Sequence, residues 1–196
     1  RITLLEKELK SLSEARKQRK QRRVEKRIPI VSIIGYTNAG KSTLLNSLTR
    51  SEVFVEEKMF ATLDTASRRL RFPKERDIII TDTVGFIRDL PKDLMTAFKS
   101  TLEELQDADL LLHLVDISNP RFEQHIASVE KILSDLNLSE KRKMLVFNKA
   151  DKIEREEAEN IAQRYNAFCI SALDKRTFQP LLHSIEEKVF GLTEKI

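Results

Sequence analysis

The stretch "GYTNAGKSTLLNSLT", Gly35 to Thr49, follows directly on the apolar run "PIVSII", and no other feature limits the possible folds so strongly. The whole chain has four glycines, yet Gly35 and Gly40 stand only five positions apart. The spacing is G-x-x-x-x-G-K-S, a strand-to-helix turn whose backbone N–H groups can wrap a polyphosphate. Glycine allows the backbone conformations and close approach that a Cβ would obstruct. The helix opening near Lys41 would aim its free N–H groups and positive dipole end at the anion. Lys41 could then reach the outer phosphates, and Ser42 could ligate magnesium. The expected phosphate seat is therefore Gly35, Tyr36, Thr37, Asn38, Ala39, Gly40, Lys41, Ser42 and Thr43.

From Ile30 onward, short β-rich runs alternate with helical patterns. The runs are "PIVSIIG", "DIIITD", "DLLLHLVD", "KMLVFNKAD" and "AFCISA", with helical segments near 42–50, 92–106, 122–136, 154–165 and 178–190. "SRRLRF" and "RDIIITD", joined by "PKE", read as a hairpin adding one antiparallel edge strand. Continuous apolar strands separated by helices predict an α/β fold, a mostly parallel six-stranded sheet with helices on both faces. In such sheets ligands bind beyond the carboxyl ends of the strands. "GYTNAGKS", "DTVG" and "NKAD" stand at three of those ends, and "CISA" at a fourth.

An aspartate at Asp82 can hold magnesium through water, and the Gly85 N–H can meet the γ-phosphate, with Thr83 and Val84 between them in the nucleotide loop. "NKAD", Asn148 to Asp151, selects the base. The Asp151 carboxylate can accept from the N1–H and the 2-amino group of guanine, a donor pair that adenine lacks. Sites built on such contacts reject analogues by roughly four to five powers of ten. Asn148 would tie this loop to the phosphate loop, and the stem of Lys149 would cover the base plane. Ser171, Ala172 and Leu173, after the last strand, would bring a backbone N–H to guanine O6. The reading is a GTP or GDP site.

Residues 1–28 hold eleven Lys/Arg against four Asp/Glu, while the whole chain carries only +4. The basic character thus belongs to this segment, read as a helical connector closed by Pro29, and residues 29–196 form the domain. It is either a solvated helix or an arm touching RNA phosphates. The single cysteine, Cys169, excludes an internal disulfide and fits a reducing, cytoplasmic setting. No apolar run approaches the ~18 residues needed for a membrane span. The chain, starting at Arg1, is expected to be a piece of a longer protein, and a monomer.

With these motifs in place, the sequence resembles a Ras-like P-loop G domain and, more narrowly, the HflX family of ribosome-associated GTPases in the Obg–HflX superfamily. "GYTNAGKSTLLNSLT", "MFATLDTASRRL", "DTVGFIRDLP" and "HLVDISNP" carry the narrower match. The resemblance implies a guanine-nucleotide switch on the large ribosomal subunit, contacting ribosomal RNA and acting in subunit splitting or rescue under stress. The basic helix resembles the connector after that family's N-terminal domain, which this sequence does not include. "FATLD", covering Phe60, Ala61, Thr62, Leu63 and Asp64, resembles the family's first switch, making Thr62 the magnesium and γ-phosphate ligand. The residues alone allow Thr65 equally. Ala66 and Ser67 depart from the threonine pair usual there. Lys41, Thr62 and Gly85 would be the catalytic set, and Ser42, Thr62 and Asp82 the metal set.

Ras-type enzymes place a glutamine after D-x-x-G to orient the attacking water. Here Phe86 stands in its place, which predicts slow unassisted hydrolysis that the ribosome accelerates. The alternative is a GTP-dependent binding module with vestigial hydrolysis, and a third reading is a nucleic-acid binder driven by residues 1–28. Asn38 either resembles asparagines that hold a potassium ion or hydrogen-bonds within its loop. His113, His125 and His183 show no metal-ligand spacing; His113 reads as a core or subunit-facing residue and Cys169 as a packed thiol. Arg68, Arg69, Arg71, Arg88 and Arg121 could touch ribosomal RNA, with exposed surface charge the default for each.

Overall fold

The computed structural model describes residues 28–49, 66–72, 76–82 and 104–191. The basic connector at 1–27, the first-switch residues Phe60 to Asp64, and Thr83 to Phe86 lie outside the described residues, as does Arg88. Most of the helix expected at 92–106 lies outside them too; Glu104–Asp107, within them, is a 3₁₀ turn.

The strands are β1 (Ile30–Ile34), β2 (Ala66–Phe72), β3 (Arg76–Asp82), β4 (Leu110–Asp116), β5 (Lys143–Asn148) and β6 (Phe168–Cys169). The helices are α1 (Lys41–Thr49), α2 (Phe122–Asp135), α3 (Arg155–Arg164) and α4 (Gln179–Phe190). The sheet runs β2-β3-β1-β4-β5-β6, with only β2 antiparallel to its neighbour. The expected mixed sheet is borne out, and the four expected helices that fall within the described residues match to within a residue. β6 is the exception, since only Phe168 and Cys169 of "AFCISA" form the strand.

Alternation along the strands sends side chains to two cores. Val31, Ile33, Ile78, Ile80, Leu112 and Val146 pack under α1 and α4. Ile34 and Leu111 meet Val129, Ile132 and Leu133 of α2, while Val115 and Phe147 meet Ala158 and Ala162 of α3. Phe122, Phe147 and Tyr165 close the α3 side in edge-to-face pairs, with ring centroids 5.6–6.0 Å apart. With both faces covered, the strands need no polar side, which explains a run such as "LLLHLV". The connection leaving β1 crosses one face and that leaving β4 crosses the other. The sheet's topological switch point therefore lies between β1 and β4, and their C-terminal ends open a crevice there.

Candidate functional site

The loop leaving β1 presses against the neighbouring strand. A Cβ on Gly35 would stand 2.2 Å from the Leu114 carbonyl oxygen, and Gly35 has φ +155°. A Cβ on Gly40 would stand 2.3 Å from Asn148 Nδ2, at φ +93°. Both glycines are thus required by close approach as well as by conformation. Between them Asn38 adopts φ +61° and is exposed, and its side chain makes no hydrogen bond among the described residues. The reading in which it bonds within its own loop gains no support there.

Lys41 opens α1 and is 7 % exposed. Its Nζ donates to the Tyr36 carbonyl at 3.2 Å, which curls the side chain back over the loop. Burial lowers the Lys41 pKa from the usual lysine range, and the Asp82 carboxylate opposes that shift. A cation buried with so little direct compensation is poised to meet an anion. Asp82, at the end of β3, is 1 % exposed and accepts from Ser42 Oγ at 2.6 Å. The register Ile33↔Asp82 brings that carboxylate beside the root of the phosphate loop. A hydroxyl and a carboxylate meeting at this point are hard oxygen donors, the set that suits Mg²⁺. Among the described residues no three His, Cys, Asp or Glu side chains gather to hold an ion.

Asn148 joins the loops. It is 1 % exposed; its Nδ2 donates to the Ala39 carbonyl at 2.8 Å, and its Oδ1 accepts from Ala172 N–H at 2.8 Å. The tie to the phosphate loop expected from sequence is present. The expected backbone N–H for guanine O6 is a different matter. Ala172 N–H is engaged by Asn148, Ser171 N–H by Thr177 Oγ1 at 3.1 Å, and Leu173 N–H by Ser171 Oγ at 3.3 Å. A buried amide oxygen must find a donor, and Ala172 supplies it. Ser47 of α1 completes the loop by donating to the Ala172 carbonyl at 2.6 Å.

Lys149 takes a left-handed conformation, φ +64° and ψ +34°, and Asp151 follows in a short 3₁₀ turn with its side chain exposed. Leu173, 78 % exposed, is the exposed large hydrophobic residue among those described. On the other side of the phosphate loop, Tyr36 stacks on His125 of α2, rings 4.0 Å apart and 3° from parallel. A polar cavity of about 210 Å³ lies beside this stack, bordered by Thr37, Asn38 and Arg121.

Two participants were missed in the sequence. Asp116, the last residue of β4, accepts from Lys149 Nζ at 2.7 Å, and Ser47 braces the far loop. Asp116 had a visible signal, because β4 ends in a carboxylate at the same rim as the other motif-bearing strands. Ser47, inside a helix, had none. His113 is a core residue at 2 % exposure. Cys169 is half-buried, with burial pushing its thiol pKa up, as expected of a packed thiol. Arg69 and Arg71 both pair with Asp77 at the surface.

Comparison with known proteins agrees with this geometry. Residues 30–149 match the family described as "50S ribosome-binding GTPase". The chain is 48 % identical over its full length to a protein named GTPase HflX from Caldanaerobacter subterraneus subsp. tengcongensis, spanning 45 % of that protein. It is 42 % identical over 79 % of its length to GTPase HflX of Escherichia coli, spanning 36 % of it. Among solved structures, a point variant of Aquifex aeolicus Era bound to GDP·AlF4⁻ superposes with a TM-score of 0.64 at 27 % identity, over 86 % of this chain and 58 % of that one. The chain thus spans less than half the length of the curated relatives it matches, and the names they carry bear out the resemblance drawn from the motifs.

Proposed function

The chain belongs to the 50S ribosome-binding GTPase family, and from that premise we propose that residues 29–196 are the G domain of a GTP-binding and GTP-hydrolysing switch acting on the large ribosomal subunit. The observation that carries the proposal is Asn148, whose two hydrogen bonds fasten the phosphate loop and the last loop to "NKAD". A triphosphate then lies along one rim, its phosphates on Gly35 to Thr43 and its base between Lys149, Asp151 and Leu173. Lys41, buried and short of compensation, meets the outer phosphates, and nucleotide binding restores its usual affinity for a proton. Ser42, Thr62 and, through water, Asp82 would hold Mg²⁺, which would neutralise charge on the phosphate oxygens. Thr62 and Gly85 complete the set by sensing the γ-phosphate, so that its loss releases the segments around them.

Phe86 cannot orient water, so unassisted hydrolysis is slow and the ribosome supplies what is missing, an effect worth roughly three to five powers of ten where a positive charge is provided. Asn38, exposed in the phosphate loop, would hold K⁺, which would perform the same electrostatic task. We assign the cellular role to ribosomal subunit splitting or rescue under stress, by a cytoplasmic monomer touching ribosomal RNA. No helix among the described residues is long and apolar enough to cross a membrane.

Titration with GDP, GTP and ADP in Mg²⁺ tests the core of the proposal. Guanine nucleotides should bind and ADP should not; equal binding of all three refutes it. Co-sedimentation with large subunits in GDP and in a non-hydrolysable GTP analogue tests the switch, which requires more binding in the analogue. Single-turnover hydrolysis with and without ribosomes separates an enzyme from a binding module whose hydrolysis is vestigial.

A further inference from the structure

We propose that Asp116, oriented by Ser118, is a positioning residue that fixes Lys149 as the rigid shelf beneath the nucleotide base. The inference rests on the guanine-nucleotide reading above and adds to it a residue to which that reading gives no role.

Both ends of Lys149 are fixed. Its backbone is locked in the left-handed region at φ +64°, and Ile117 N–H binds the preceding carbonyl, of Asn148, at 3.0 Å. Its Nζ donates to Asp116 Oδ2 at 2.7 Å. The four-carbon stem is therefore stretched between the ends of two adjacent strands, which the register Asp116↔Asn148 places side by side. Asp116 is itself immobilised: its other oxygen, Oδ1, accepts from Ser118 N–H at 3.0 Å and from Ser118 Oγ at 2.6 Å. The carboxylate is 16 % exposed and the lysine side chain 24 %, so the pair is shielded from most of the screening that weakens surface ion pairs.

A free lysine side chain carries substantial rotamer entropy, which a ligand resting on its stem must remove. A stem already anchored at its tip offers a preformed apolar ledge, and that cost falls on folding instead of on binding. The effect is blind to the groups on the base edge, because those are read by Asp151. Asp116 should therefore set how tightly a purine nucleotide binds and not which purine is chosen.

The experiment measures GDP and inosine diphosphate affinities for the full chain, Asp116→Asn, Lys149→Met and the double variant. Inosine diphosphate lacks only the 2-amino group. Asp116→Asn retains an oxygen for Ser118 while removing the charged acceptor of Lys149. It should weaken both nucleotides by the same factor, roughly three- to tenfold, the scale of immobilising one long side chain. The ratio of the two affinities should not move. In the Lys149→Met background, where no charged tip remains to anchor, Asp116→Asn should cost nothing further. The proposal is overturned if Asp116→Asn leaves both affinities unchanged, if the loss persists at full size in Lys149→Met, or if the GDP to inosine diphosphate ratio collapses. A parent chain that binds neither nucleotide overturns the guanine-nucleotide reading itself, whereas tight binding with an inert Asp116→Asn overturns only the brace.

Discussion

Replacing Asn148 with alanine should loosen the whole rim before any ligand is added. The side chain is 1 % exposed and satisfies two buried backbone groups, the Ala39 carbonyl and the Ala172 N–H, each at 2.8 Å. Stranding one buried hydrogen-bonding group costs about 1–3 kcal/mol, so two cost about 2–6 kcal/mol, less wherever water enters the vacated space. For a chain of this size each kcal/mol is about 2–4 °C in melting temperature, which puts the expected fall near 10 °C. The assay is thermal unfolding of the nucleotide-free protein, repeated with saturating GDP. A companion substitution sharpens it. Gly40→Ala should be severe alone, because its Cβ would fall 2.3 Å from Asn148 Nδ2. In the Asn148→Ala background that collision is gone and the strain of a positive φ remains, about 1–2 kcal/mol. The pair should therefore cost clearly less than the sum of the two. An unchanged melting temperature for Asn148→Ala, or strictly additive costs for the pair, refutes the reasoning.

Ser42→Ala removes a metal-ligating hydroxyl, so Mg²⁺ should tighten nucleotide binding in the parent chain and have little effect in the variant; calorimetry with Mg²⁺ and with EDTA checks this. Lys41 has a lowered pKa in the folded state, so the unfolded chain binds more protons and stability rises with pH in the window below 10.5. Lys41→Met should flatten that rise in the nucleotide-free protein, seen as a stability difference that shrinks as the pH climbs. On the far face of the sheet, His113 and Lys143 hold the Glu130 carboxyl at about 2, below its ordinary 4.5. Its stabilising contribution is complete above pH 4.5 and is lost as the pH falls toward 2, so Glu130→Gln should weaken the protein at neutral pH and blunt its acid denaturation, measured by urea unfolding at several pH values.

The sheet was legible because its strands are buried on both faces and therefore read as unbroken apolar runs bounded by glycine or aspartate. The phosphate loop and "NKAD" were legible because backbone geometry and a bidentate carboxylate tolerate few residue types. What escaped was contact between distant elements. The place of Asp116 at a strand end was visible, but nothing local announces that its partner is thirty-three residues on. Ser47 faces Ala172 across 125 residues, which no periodicity encodes. β6 was overextended because "AFCISA" has strand composition throughout, while beyond Ile170, which still bonds to Phe147, Ser171 leaves for an isolated bridge with Asp174.

The two rims of the sheet have a consequence for the molecule's company. Strand β2 lines one rim with Arg68, Arg69 and Arg71, and at the other only Phe168 and Cys169 are paired. A visiting strand would meet long charged side chains on the first side, two of them tied to Asp77, and a short ledge on the second. Among the described residues the two sheet edges thus offer a poor template for edge-to-edge growth.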